Sequence, residues 1–150
     1  MPDYTPPPSS YVDPRDYHAQ QVQDFLKKIS TLESSSGTNT NHQMVNSGMH
    51  SGTAAVGQYG LMPLTAQDLD RQFKINKLQD MQPNEVSDKL KEDPELQDQL
   101  ASSLADKLLI KKTPEEAAYS WEHGQYSKPT PDELENSGRV RSFRVLNGTK

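Results

Sequence analysis

Leu96, Leu100, Leu104 and Leu108 recur every four residues, with Ala101 and Ala105 beside them. That spacing lays one apolar stripe along an amphipathic helix. Val22, Phe25, Leu26, Ile29 and Leu32 form a second stripe at helical spacing, which ends at Glu33. Apolar residues make up only 31% of the 150. The core is therefore small, and stripes of this kind must supply most of it.

Helix signals punctuate the rest. Thr113-Pro114-Glu115-Glu116 reads as an N-cap, a proline at the first helical position and acids in the first turn. Ala117, Ala118 and Trp121 follow, and Gly124 ends the segment as a C′ residue. Thr130-Pro131-Asp132-Glu133 repeats the start signal, and Val140, Phe143 and Leu146 are expected to close the fold. Pro83-Asn84 opens a helix holding Val86 and Leu90, while Asp93-Pro94 marks a stop and a restart. A further helix is expected from about Thr65 to Phe73. Between Gln43 and Tyr59 no period emerges, and a long loop with a short strand pair or a helical turn suits the composition. The expected fold is mainly α, a single domain of five to seven helices with an irregular middle.

Five of the 11 prolines fall in the first 14 residues, so residues 1–18 are expected to be an extended, disordered tail, with the folded domain over 19–150. The tail has neither the basic start nor the run of about 7–15 apolar residues of a secretory leader, and reads as a linker or the beginning of a fragment. No stretch approaches the roughly 18 apolar residues of a membrane span. A net charge of −5 argues against a generic nucleic-acid binder. The absence of cysteine excludes disulfides, thiolate metal sites and cysteine nucleophiles. His42, His50 and His123 have no metal-ligand spacing, and His42 reads as a loop hydrogen-bonding residue; no metal or other cofactor is expected. Serines are abundant without a G-x-S-x-G elbow, and the G-x-x-G of Gly57 to Gly60 precedes no lysine. The acids between Glu85 and Asp98 read as a solvated helix face, and Arg139 to Lys150 is a basic patch.

Glu33 is the most informative position. A carboxyl at the rim of a core is partly desolvated, which favours its protonated form and suits a general acid. Position alone also fits a solvated glutamate at a helix end. Negative charge there opposes the helix dipole, however, and a chain selected for stability alone favours Lys or Arg.

Leu32-Glu33-Ser34, a Ser/Gly/Asn loop with Asn39-Thr40-Asn41-His42, then Gly57-Gln58-Tyr59-Gly60-Leu61-Met62-Pro63, then Ala117 to Gly124 resemble, in order, the motifs of the lysozyme-like lytic transglycosylases, in particular the phage-type branch. The resemblance spans Ala19 to Leu146. It implies that Glu33 is the catalytic acid and base, that Ser34 helps orient it, and that Gln58, Tyr59, Gly60, Leu61 and Met62 wall the substrate cleft. Proline stands at Pro63 where the family commonly has glutamine. In the third motif Trp121 falls on a tyrosine and Glu122 on an asparagine, with Tyr119 the alternative for the tyrosine. Arg139 occupies the place of a further tyrosine, beside Val140.

The implied reaction cleaves the bond between N-acetylmuramic acid and N-acetylglucosamine in peptidoglycan and leaves a 1,6-anhydro ring, with one carboxyl and no water. A hydrolytic muramidase of the same fold is the alternative enzyme. A non-catalytic wall-binding or structural virion module is the alternative from another class, motivated by the altered third motif. Peptidoglycan strands, and other virion or wall-associated proteins, are the expected partners. The expected location is a virion, the periplasm or the cell wall.

Overall fold

The computed structural model describes residues 14–34, 42 and 54–146. Among them are seven helices: α1 (Pro14–Ser34), α2 (Pro63–Gln72), α3 (Pro83–Glu92), α4 (Pro94–Lys111), α5 (Pro114–His123), α6 (Pro131–Asn136) and α7 (Gly138–Leu146). Six of the seven begin on proline. The reason is local: proline presets the helical φ, and the N–H it lacks has no acceptor in a first turn. Thr113 and Thr130 cap α5 and α6 as their sequences predict. Each hydroxyl accepts from the N–H of Glu116 or Glu133 at 3.2 Å, and each glutamate accepts the threonine N–H at 3.0 Å. Asp93 ends α3 and caps α4, accepting from Leu96 N at 3.1 Å.

The two stripes meet. α1 packs on α4 and α7, and α5 packs on α7. Val22, Phe25, Leu26 and Ile29 of α1 are buried with Leu96, Leu100, Leu104 and Leu108 of α4. Each such side chain contributes about 1.5–3 kcal/mol relative to full exposure. The Phe25 ring joins three helices, 5.7 Å from Trp121 of α5 and 5.6 Å from Phe143 of α7.

Three expectations change. α1 starts at Pro14, so residues 14–18, read as tail, are its first turn; His18 Nε2 secures that turn 2.6 Å from Asp106 Oδ1 on α4. α2 starts at Pro63, two residues before Thr65, because the proline serves as its first residue. Leu146 is 39% exposed, so Val140 and Phe143 are the residues that α7 buries in the core. Residues 1–13, Asn39 to Asn41, His50 and Lys150 lie outside the described residues. Among the described residues, no helix is long and apolar enough to cross a membrane.

Candidate functional site

Just before α2, residues 56–61 form a tight turn. Val56 and Leu61 bridge antiparallel, with Val56 N to Leu61 O at 2.7 Å and Leu61 N to Val56 O at 3.0 Å. This is a single bridge and not a strand pair, and residues 43–53, most of the stretch read as a loop with a short strand pair or a helical turn, lie outside the described residues. Gly57 and Gly60 take φ of +76° and +63°, which glycine adopts without steric cost. Space demands glycine at Gly60 too. A Cβ there would lie 2.8 Å from Cδ of Glu33 and collide with its Oε2. The turn backbone and the Glu33 carboxyl are therefore in direct apposition.

Three elements hold the turn. From α1, Ser34 Oγ donates to Gln58 O at 2.8 Å and to Ser30 O at 3.0 Å, and Ser30 Oγ donates to Gln58 Oε1 at 3.0 Å. From α5, Trp121 Nε1 donates to Tyr59 O at 2.8 Å. From α4, Gln97 lies under Gly57 and donates to Leu90 O at 2.6 Å. His42 Nε2 is 2.7 Å from Gly57 O, a loop hydrogen bond of the kind expected of it.

The electrostatics centre on a guanidinium. Arg139, at the start of α7, places Nη2 2.7 Å from Glu33 Oε1 and 3.4 Å from Glu122 Oε2. Glu122 Oε1 in turn lies 2.9 Å from His123 Nε2. The Arg139 and Glu33 side chains are only 11% and 15% exposed, so the pair sits largely out of water. Arg139 Nη1 is buried and has no hydrogen-bond partner among the described residues. One nitrogen thus serves two carboxylates while its twin serves none, an unfinished form of the bidentate pairing that arginine favours. At the turn's edge, burial raises the Tyr59 phenol above its usual range, and the charge of Asp98 adds to the shift. Burial likewise raises Asp98, opposed by a hydrogen bond from Gln58 and assisted by Glu95.

The structure brings together Glu33, Ser34, Gln58, Tyr59, Gly60, Trp121 and Glu122. Leu61 is 2% exposed and belongs to the core. Met62 precedes α2, its carbonyl accepting from Ala66 N at 2.8 Å. The Tyr119 ring centroid lies 4.2 Å from that of His123, and Trp121 is the aromatic that donates to the turn. Arg139 is the residue whose role the sequence left unread: it stands only in a basic patch and at a mismatch to the resembled motif, and neither predicts an ion pair to Glu33. Ser30 was missed, though its place one turn before Ser34 was a usable signal. A groove of about 590 Å³ runs from Leu64 and Thr65 at the start of α2 to His123 and Tyr126, and none of the residues gathered around Glu33 lines it. Among the described residues, no group of three or more His, Asp or Glu is placed to hold a metal ion.

Comparison with protein-family models, curated proteins and solved structures finds no match for this chain.

Proposed function

We propose that the chain is a peptidoglycan lytic transglycosylase with a lysozyme-like fold, in which Glu33 serves as both acid and base. One observation carries the reading: a carboxyl only 15% exposed is seated against the bare backbone of Gly60. Backbone packed against one side of the carboxyl suits a group that must meet a glycan strand at fixed geometry. In the first step Glu33 gives its proton to the glycosidic oxygen, and the bond from muramic acid C1 to that oxygen breaks. In the second, the Glu33 carboxylate takes the proton of the muramic acid 6-hydroxyl as O6 bonds to C1. Glu33 ends as it began, and no water is consumed.

Arg139 adds a condition. An ion-paired carboxylate cannot donate a proton until the guanidinium loosens its hold. Glu122, already within 3.4 Å of the same nitrogen, is the alternative acceptor. Arg139 in this account holds Glu33 in place at rest and shifts towards Glu122 as substrate enters. The same ion pair also favours a second reading, a wall-binding or structural virion module that keeps the site without turnover. Either role is exercised at the cell wall, reached as part of a virion or with the help of wall-associated proteins.

Purified sacculi separate the two. The enzyme clears a sacculus suspension, and Glu33→Gln abolishes clearing while still pelleting with the wall. Pelleting of the unsubstituted protein without any loss of turbidity overturns the enzyme in favour of the binding module.

A further inference from the structure

A second and larger groove lies between the C-terminal half of α4 and the segment after α5. Its volume is about 870 Å³, and Phe73, Leu108, Ile110 and Tyr126 contribute apolar surface to it. Three of these are exposed large hydrophobics: Phe73 at 38%, Ile110 at 65% and Tyr126 at 70%. Scattered apolar residues on a surface need no explanation, but several sharing one concavity with a charged rim mark a contact surface.

The rim has one sign. Lys107, Lys111, Lys112 and Lys128 line the groove against a single acid, Asp106, whose carboxylate is already bonded to His18. This cationic concentration sits on a chain of net charge −5. Two of the lysines are built into the wall. Lys107 Nζ donates to Gln72 and Gln125 at 2.7 Å each and lies over the Tyr126 ring, and Lys112 Nζ donates to Ser120 at 2.6 Å. Lys111 and Lys128 are exposed at the rim.

We propose that this groove docks an acidic peptide segment of a partner protein, with apolar side chains seated against Ile110 and Tyr126 and carboxylates facing Lys111 and Lys128. Charge complementarity selects the occupant: an anion is required by the rim, and an apolar anchor by the wall. Phosphate-rich nucleic acid satisfies the rim and leaves the aliphatic wall unused. A bilayer surface cannot follow a concavity. The groove does not include Glu33, Arg139 or Glu122, but it shares Gln125, Tyr126 and Ser127 with the groove of about 590 Å³, so peptide binding is read separately from sacculus clearing.

The test uses fluorescence anisotropy with the full chain and three labelled peptides of about twelve residues. One alternates glutamate with leucine and phenylalanine, one replaces glutamate by lysine, and one replaces the apolar residues by serine. Saturable binding of the first alone is expected. It weakens at least about tenfold in the double variant Lys111→Glu, Lys128→Glu and in Ile110→Ser, and it falls with added salt. These side chains are exposed, and unchanged far-ultraviolet circular dichroism of the variants confirms that the fold survives. No saturable binding, equal binding of the three peptides, or binding indifferent to the substitutions overturns the proposal. So does full displacement of the peptide by duplex DNA, by anionic phosphatidylglycerol vesicles or by soluble muropeptides.

Discussion

The Gly60 backbone and the Glu33 carboxyl are packed so closely that no side chain fits at Gly60 beside it. An alanine at Gly60 meets two penalties: a left-handed φ of +63° and a Cβ pressed into the carboxyl. Gly60→Ala is therefore expected to cost about 1–3 kcal/mol, read as a lower urea midpoint. Sacculus clearing should fall more than the unfolded fraction explains, because the carboxyl must move aside. Glu33→Gln behaves oppositely. Its amide oxygen still accepts from Arg139, so stability should change by no more than about 1 kcal/mol, while proton transfer is lost. Trp121→Phe separates ring from indole N–H. It keeps the packing on Phe25 and loses the hydrogen bond to Tyr59 O, an expected cost of about 1 kcal/mol by thermal unfolding.

Helix starts were legible wherever the sequence wrote a short-range code. Thr-Pro-x-Glu at Thr113 and Thr130, and Asp-Pro at Asp93, bring cap and first turn within four residues, and both appear as read. The stripe from Leu96 to Leu108 was equally plain, since burial follows the helical period. The segment between α2 and α3 shows where such reading stops. Asp70, fully buried, accepts from Lys77 N at 2.9 Å, Leu78 N at 3.0 Å and Gln79 Nε2 at 2.9 Å, and so organises a loop in which Lys74, Asn76 and Asp80 take positive φ. Nothing in the spelling of Asp70 distinguishes it from the exposed acids nearby, because its partners are chosen by the chain's return path. Asp70→Ala leaves two backbone donors without their acceptor and should cost about 2–4 kcal/mol in chemical denaturation, a sizeable share of the roughly 5–15 kcal/mol that holds a domain folded. The Glu33 site divides in the same way. Its residues on α1 and the turn were readable from motif order, whereas Arg139 joins them only because α7 packs back on α1 and α5.

Across the whole molecule, charge separates into regions with different consequences. The Asp98 carboxylate works against folding at neutral pH. Burial lets the folded Asp98 carboxyl keep its proton to higher pH than the unfolded one, so this group's contribution to stability falls as pH rises out of the acid range. Asp98→Asn should thus raise the urea midpoint at pH 7 relative to the parent and leave it nearly unchanged at pH 3. Towards the other end of the chain, Arg144 ties Glu115 of α5 and Glu135 of α6 to α7, at 2.6 Å and 3.1 Å. Those bonds hold Glu135 below the usual carboxylate range, the hydrogen bond from Arg144 leading, so its contribution has the opposite sign and fades as pH falls. The α7 that Arg144 braces is the helix that delivers Arg139 to Glu33. The most direct measurement on this assembly is the mass of the glycan fragments released from purified sacculi. Intramolecular closure by Glu33 predicts ends one water lighter than hydrolysis products, and none from Glu33→Gln. Fragments with ordinary reducing ends, or light ends that persist in Glu33→Gln, would contradict it.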